Sequence, residues 1–183
     1  MSDILSVKMG DMRTGHNPGV LATMGVGSCI VIILYDPITR LGGMAHAMLP
    51  SKPQKPFEVF SPERNSGDAE DSGDAEESLE SSTSLASSSS FKYVDIAIPA
   101  MIQELVSAGA NRGSLIAKLI GGAHMFALLG DSQRGIGMQN LEAARRILAE
   151  QRIPVNGEET GGTVGRNVRF DVSTGVCQVE TKM

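Results

Sequence analysis

The longest apolar stretch of the chain predicts a buried strand that opens a hairpin. Residues 30–35 are almost all β-branched or aliphatic, which is typical of a strand buried on both faces. The sequence Asp36-Pro37-Ile38-Thr39 follows and suits a type I turn. Residues 41–49 then form the predicted return strand, which Pro50 ends. The pattern therefore predicts a β-hairpin over about 30–49.

The predicted turn also sets a register for this hairpin. If Tyr35 pairs with Arg40, then Cys29 lies directly opposite His46. Residues paired in this way hold their Cβ atoms roughly 4.5 to 5.5 Å apart on one face of the sheet. The register thus predicts a thiol beside an imidazole, a nucleophile beside a base, unless a bulge at Gly42-Gly43 shifts it.

The rest of the chain alternates helical and extended patterns. Apolar residues recur at intervals of three and four in one amphipathic segment that ends near Gly109, at Val94, Ala97, Ile98, Met101, Ile102 and Leu105. Pro99 within it predicts a kink or a later start. The other predicted elements are a strand over 114–120, a helix over about 141–151 with Asn140 as N-cap, and a hairpin of strands 166–172 and 175–181. This order predicts an α/β fold: a layered α/β sandwich of mixed, largely antiparallel sheet with packed helices.

Length and composition favour one domain. The chain has 183 residues, of which 41% are hydrophobic, enough for one sizeable core over 1–183. It contains no apolar run long enough to span a bilayer and no charged-then-apolar leader, so we expect a cytoplasmic protein without membrane insertion. The pI of about 5.2 and the scattered Lys and Arg residues argue against nucleic-acid binding.

The negative charge is concentrated in one segment. Residues 58–90 carry a net charge of −8, whereas the remainder of the chain carries +3. The segment is rich in Ser, Asp and Glu and cannot bury enough apolar surface to offset chain entropy. It is predicted to be a disordered insertion that interrupts the single domain.

Glycines next to Cys29 strengthen its candidacy as a nucleophile. A single buried cysteine is commonly an inert small hydrophobe, and we interpret Cys177, in a predicted strand, in that way. Cys29, by contrast, follows Gly27 and Ser28, where exposed backbone N–H groups could bind the oxyanion of an acyl-transfer intermediate. The candidate site is therefore Cys29 and His46 with Gly27 and Ser28 as the substrate loop.

Two motifs stand out in the N-terminal part of the chain, NPGVLATMGVGSC over 17–29 and HAMLP over 46–50. They resemble the bacterial chemoreceptor glutamine deamidase family, CheD. Val26 stands where the family pattern has Leu, a small apolar change. Further similar blocks follow in order at Tyr93 with Asp95, 118–123, Ile136-Gly137 with Asn140, 160–162 and 165–166.

The resemblance implies a catalytic trio of Thr23, Cys29 and His46, with the threonine orienting the imidazole. It implies hydrolysis of glutamine side-chain amides on methyl-accepting chemoreceptors through a Cys29 thioester, and of glutamate methyl esters as well. No metal or organic cofactor is required. The implied fold is related to those of other cysteine-hydrolase deamidases.

The resemblance also implies an alternative role, that of an adaptor. Family members can bind a CheC-type phosphatase of the response regulator and raise its activity. From the residues themselves, Phe126 is the candidate contact, since an apolar residue after a glycine turn belongs either to the core, which its spacing favours, or to an exposed patch for a partner. The complete trio favours catalysis over an adaptor with little activity. A papain-like peptidase is disfavoured because such chains place Cys and His far apart in sequence.

Overall fold

The structure is a computed structural model that describes residues 3–53, 90–124 and 135–181. Nearly all of the predicted acidic insertion, and Phe126, lie outside these residues. Within them the chain forms nine strands and two α-helices. The strands are β1 (Asp3–Ser6), β2 (Met12–His16), β3 (Gly19–Val26), β4 (Ile30–Asp36), β5 (Leu41–Ala47), β6 (Ile116–Gly121), β7 (Val155–Thr160), β8 (Arg166–Asp171) and β9 (Val176–Thr181). The helices are α1 (Val94–Ser107) and α2 (Ile136–Glu150).

The strands form two sheets. The central sheet has the order β2-β5-β4-β6-β7 and the outer sheet the order β1-β3-β8-β9. Each contains one parallel pair, β6 with β7 and β1 with β3, and its other pairs are antiparallel. The helices cover one face of the central sheet and the outer sheet covers the other. The predicted layered sandwich of mixed, largely antiparallel sheet is confirmed, whereas its kinship with cysteine-hydrolase deamidases stays a prediction.

Strand β4 explains the layering. Successive strand residues point to opposite faces, and every residue of β4 is buried. Ile30, Ile32 and Leu34 pack in the cluster beneath the helices, and Val31 and Ile33 in the cluster between the sheets. The prediction of a strand buried on both faces is confirmed, and this strand separates the two cores.

The predicted hairpin register is wrong by two residues. Asp36 pairs with Leu41, so that His46 lies opposite Val31 and not opposite Cys29. The loop comprises 37–40 because the Asp36 carboxylate accepts hydrogen bonds from Ile38 N, Thr39 Oγ1 and the distant Asn111 N. These bonds keep Asp36 in the strand, and Arg40, at φ 54°, completes the reversal.

The helices correct two further expectations. Pro99 lies inside α1, which begins at Val94 without a late start. Helix α2 begins at Ile136 after the N-cap residue Gly135, so Asn140 is an interior residue and not the N-cap. Gly137 makes the earlier start possible, since a Cβ there would lie 2.6 Å from the Ala123 carbonyl oxygen. No helix in the described part of the chain is both long and apolar enough to cross a bilayer.

Candidate active site

His46 is buried between the two sheets. Its backbone is fixed from the β1–β2 connection, because His46 N donates to Asp11 O at 3.0 Å and Gly10 N donates to His46 O at 2.8 Å. Residues paired across an antiparallel ladder share a face, so the imidazole lies on the same side of the central sheet as Val31, toward the outer sheet. Only 1% of its surface is exposed.

Thr23 meets this imidazole from the opposite sheet. It lies in β3 of the outer sheet, 3% exposed, and its Oγ1 hydrogen-bonds His46 Nδ1 at 2.8 Å. This bond joins the two sheets through the core. The ladder between β3 and β8 is irregular between Thr23 and Val26, so the chain leaves regular pairing immediately before the loop that carries Cys29. The geometry brings together two of the three residues of the predicted trio.

The second imidazole nitrogen has no partner within the part of the chain that the structure describes. His46 Nε2 is buried and makes no hydrogen bond to any described residue. Burial penalises the charged form and lowers the pKa of His46 from 6.5 to about 4. His46 is therefore neutral near pH 7, and in the tautomer whose Nδ1–H donates to Thr23 Oγ1, Nε2 is the nitrogen that can accept a proton.

Cys29 lies in the loop 27–29 that joins β3 to β4. It is half-buried and packs against the apolar cluster between the sheets. Two residues before Val31, it lies diagonal to His46 on one face, a relation that places Cβ atoms roughly 7 to 8 Å apart. Burial raises the pKa of the Cys29 thiol, and the residue's own backbone N–H offsets part of this effect. At rest, the pair is thiol and neutral imidazole.

The carbonyl groups of the loop are all fixed on one side. Gly27 O accepts from Ala123 N at 2.9 Å, and Cys29 O accepts from Gly122 N at 2.7 Å. Between them, Ser28 O accepts from Asn140 Nδ2 at 3.0 Å. The Ser28 and Cys29 N–H groups, by contrast, donate to no other described residue. These two N–H groups are the donors that the predicted oxyanion role of Gly27 and Ser28 requires, and that role stays a prediction.

The glycine that ends β6 allows the loop to come this close. Gly121 has φ 111°, which side chains rarely adopt, and a Cβ there would lie 2.4 Å from Cys29 O. The sequence reasoning noted the Gly121-Gly122 pair only as a close-packed turn and did not connect it, or Asn140, with the site. The only sequence signal that could have linked these residues to the site was their place in the ordered blocks similar to the family, 118–123 and Ile136-Gly137 with Asn140. The predicted partner contact Phe126 lies outside the described residues, so the structure does not place it.

Comparison with known proteins covers nearly the whole chain. Residues 77–181 match the family model described as CheD chemotactic sensory transduction. This range begins after the trio, but the relatives align further. The probable chemoreceptor glutamine deamidase CheD 2 of Geobacter metallireducens is 36% identical over 180 residues, 98% of this chain and 94% of the relative.

Two other relatives give the same result. A probable chemoreceptor glutamine deamidase CheD from Caldanaerobacter subterraneus subsp. tengcongensis is 34% identical over 98% of this chain and 94% of its own. Its counterpart from Desulfitobacterium hafniense is 35% identical over 99% of this chain and 95% of its own. At this identity and coverage, the similarity extends over the segments that carry Thr23, Cys29 and His46.

Proposed function

The chain belongs to the CheD family, and from that premise we propose that it is a chemoreceptor glutamine deamidase. It converts glutamine side chains on the cytoplasmic helices of methyl-accepting chemoreceptors to glutamate, in the cytoplasm. The observation that carries the proposal is the hydrogen bond between Thr23 and His46, which leaves Nε2 of a neutral imidazole unpaired on the face that also carries Cys29.

The first half-reaction forms a thioester. With the Nδ1 proton donated to Thr23 Oγ1, His46 Nε2 accepts the thiol proton as Cys29 Sγ attacks the carboxamide carbon. The oxyanion is bound by the Ser28 and Cys29 N–H groups. When the tetrahedral intermediate collapses, the C–N bond breaks, His46 returns the proton to the amine, and ammonia leaves.

The second half-reaction regenerates the enzyme. His46 Nε2 takes a proton from water as its oxygen attacks the thioester carbon. The C–S bond breaks, the thiolate recovers the proton, and glutamate is released. A glutamate methyl ester follows the same route with methanol as leaving group. Each converted glutamine adds one negative charge to a receptor helix, which increases repulsion between neighbouring carboxylates.

The resting protonation states of Cys29 and His46 determine at which step the thiol loses its proton. Burial disfavours both the thiolate and the imidazolium, so a standing ion pair is not stable. Proton transfer is therefore concerted with attack on a bound amide, whose developing oxyanion meets the free N–H groups. A site of this kind holds no standing thiolate, and His46 accepts the thiol proton only as Cys29 attacks an electrophile.

The test is mass spectrometry of a purified receptor cytoplasmic fragment incubated with the enzyme in heavy-oxygen water. Specific glutamines should gain the mass of an amide-to-acid change with the heavy isotope incorporated. Cys29→Ala should give no change, and Cys177→Ala should act like the unmodified chain. Adding hydroxylamine should divert product to a hydroxamate if a thioester forms. An unmodified fragment, across several receptors, would refute the proposal.

The adaptor alternative is tested separately. Binding of a CheC-type phosphatase would be measured with the unmodified chain and with Phe126→Asp. Loss of binding in the variant supports Phe126 as the contact. Binding with full phosphatase stimulation by the variant contradicts it.

A further inference from the structure

Asn140 joins the segment that carries the nucleophile to the segment that carries the base. Its side chain is fully buried in α2. Nδ2 donates to Ser28 O at 3.0 Å and to Met48 O at 2.9 Å. Two carbonyl acceptors at these distances identify the atom as the nitrogen, because the amide oxygen could not donate to either. Ser28 immediately precedes Cys29, and Met48 is two residues after His46.

The bridge lies where two paired strands separate. The ladder between β4 and β5 ends at Ile30 with Ala47. Beyond it the chain turns toward the start of α1, since Met48 N and Leu49 N both donate to Lys92 O. We call this place the strand fork, defined by Ser28 and Met48. Among the described residues, no ladder bond connects the two sides of the fork, and Asn140 supplies a hydrogen bond to each side.

The unpaired oxygen of this amide shows which part of the side chain matters. Asn140 Oδ1 is buried and has no hydrogen-bond partner among the described residues. A buried acceptor without a partner is costly, and an apolar residue such as Leu would avoid this cost in a helix interior. What Asn140 provides, and Leu or Asp would not, is a pair of donors aimed at the fork.

We propose that Asn140 is a positioning residue that fixes Cys29 relative to His46 through the strand fork. The inference rests on the proposed function of Cys29 and His46 in deamidation. Without the bridge, the loop 27–29 would keep its bonds to Gly122 and Ala123 but lose its hydrogen-bonded link to Met48, the residue after β5. The thiol would then sample positions from which His46 Nε2 cannot accept its proton.

The test compares Asn140→Leu and Asn140→Asp with Leu148→Ala. Leu148 is fully buried in the same helix and contacts the core beneath the helices, so its truncation controls for lost stability. At a temperature where all variants are folded, both Asn140 variants should lower kcat on the receptor fragment about 100-fold, as expected for a small misplacement of reacting groups. KM should stay within about twofold because the substrate surface is unchanged. Leu148→Ala should keep its kcat.

A double-mutant cycle separates positioning from folding. The rate of Cys29 alkylation by iodoacetamide is measured by peptide mass spectrometry, with Cys177 in the same chain as internal standard. Asn140→Leu should slow alkylation at neutral pH in the native background, and add nothing in a His46→Gln background. Equal slowing in both backgrounds, or unchanged kcat in Asn140→Leu, would overturn the proposal. An unmodified chain that fails to deamidate any receptor would refute the function, while the alkylation cycle still decides the role of Asn140.

Discussion

Cys29 and Cys177 have similar degrees of burial but differ in what surrounds them. Both are half-buried, and both pack against the apolar cluster between the sheets. Burial raises the thiol pKa of both, that of Cys177 to about 11. By burial and by the direction of the pKa shift, neither is an activated thiol of the kind found beside a cation.

The difference lies in the backbone and in the nearest base. Cys177 is in β9, paired with Phe170 across a regular ladder, so its backbone is held in a strand. Cys29 belongs to no strand, its N–H has no other partner among the described residues, and a buried neutral imidazole lies on the same face. We therefore expect reactivity in this protein to depend on the loop that carries the thiol and on a nearby base, and not on the thiol pKa alone.

Replacing each cysteine by serine tests the comparison most strongly. Cys29→Ser should lower kcat/KM on a receptor fragment at least about 10⁴-fold, because a hydroxyl is a far weaker nucleophile and the base cannot compensate. Cys177→Ser should leave kcat/KM within about twofold. A comparable loss in both variants would mean that the two cysteines do not differ as described.

Removing the base should have the next largest effect. His46→Gln should lower kcat about 10³-fold, the scale of general acid–base catalysis, while the Cys177 alkylation rate stays unchanged. Stopped assays with the receptor fragment and iodoacetamide labelling measure the two quantities. A variant that keeps more than a tenth of the native kcat would exclude His46 as the base.

The buried imidazole should also make stability depend on pH. The pKa of His46 is about 4 in the folded chain and about 6.5 when unfolded. Above pH 6.5 both states are neutral, whereas below it only the unfolded state binds the proton, so stability falls as the pH drops toward 4. The loss should total about 3 kcal/mol.

Urea denaturation from pH 7 to pH 4 measures this loss. The comparison with His46→Gln cancels the contributions of other titrating groups, and the variant should lack this part of the slope. Parallel pH profiles for the two proteins would show that His46 is not buried as the structure has it.

Replacing Thr23, which orients the imidazole in the proposed mechanism, should have the smallest effect of the four predicted here. Thr23→Val removes one hydrogen bond, worth roughly 1 kcal/mol, and should lower kcat about tenfold with KM unchanged. Thr23→Ser keeps the hydroxyl and should retain most of the activity. If Val and Ser variants were equally active, the bond to Nδ1 would have no part in catalysis.

The sequence predicted elements with strong local patterns and failed where distant residues decide. The apolar run of β4 and the three- and four-residue spacing of α1 were enough to predict these elements, and local pattern also predicted the C-terminal hairpin. The register at His46 was not predictable in this way, because the N–H of Asn111, 75 residues away, fixes Asp36 in the strand. The start of α2 was missed because a glycine inside a helix is locally unfavourable. Gly137 is suited to this helix because it packs against the turn after β6, where a Cβ would not fit.

The candidate site was predictable only where local patterns place its residues. Cys29 and His46 follow from the two-residue period of strands, and a register error of two leaves both on one face. Thr23 came only from family resemblance, since β3 contains Gly19 and Gly25 and has no clear apolar alternation. The bridging role of Asn140 could not be predicted, because it depends on the strand fork, which the local sequence does not show.

The division of the site along the chain has a consequence during protein synthesis. Thr23, Cys29 and His46 are all translated before residue 50, but the groups that fix the Cys29 loop, at 121–123 and Asn140, come from the second half of the chain. Because the chain is made from its N-terminus, a nascent or stalled product carries all three proposed catalytic residues without a working site. We expect the ribosome-bound N-terminal half to be chemically silent toward receptors, so that activity begins only when synthesis is nearly complete.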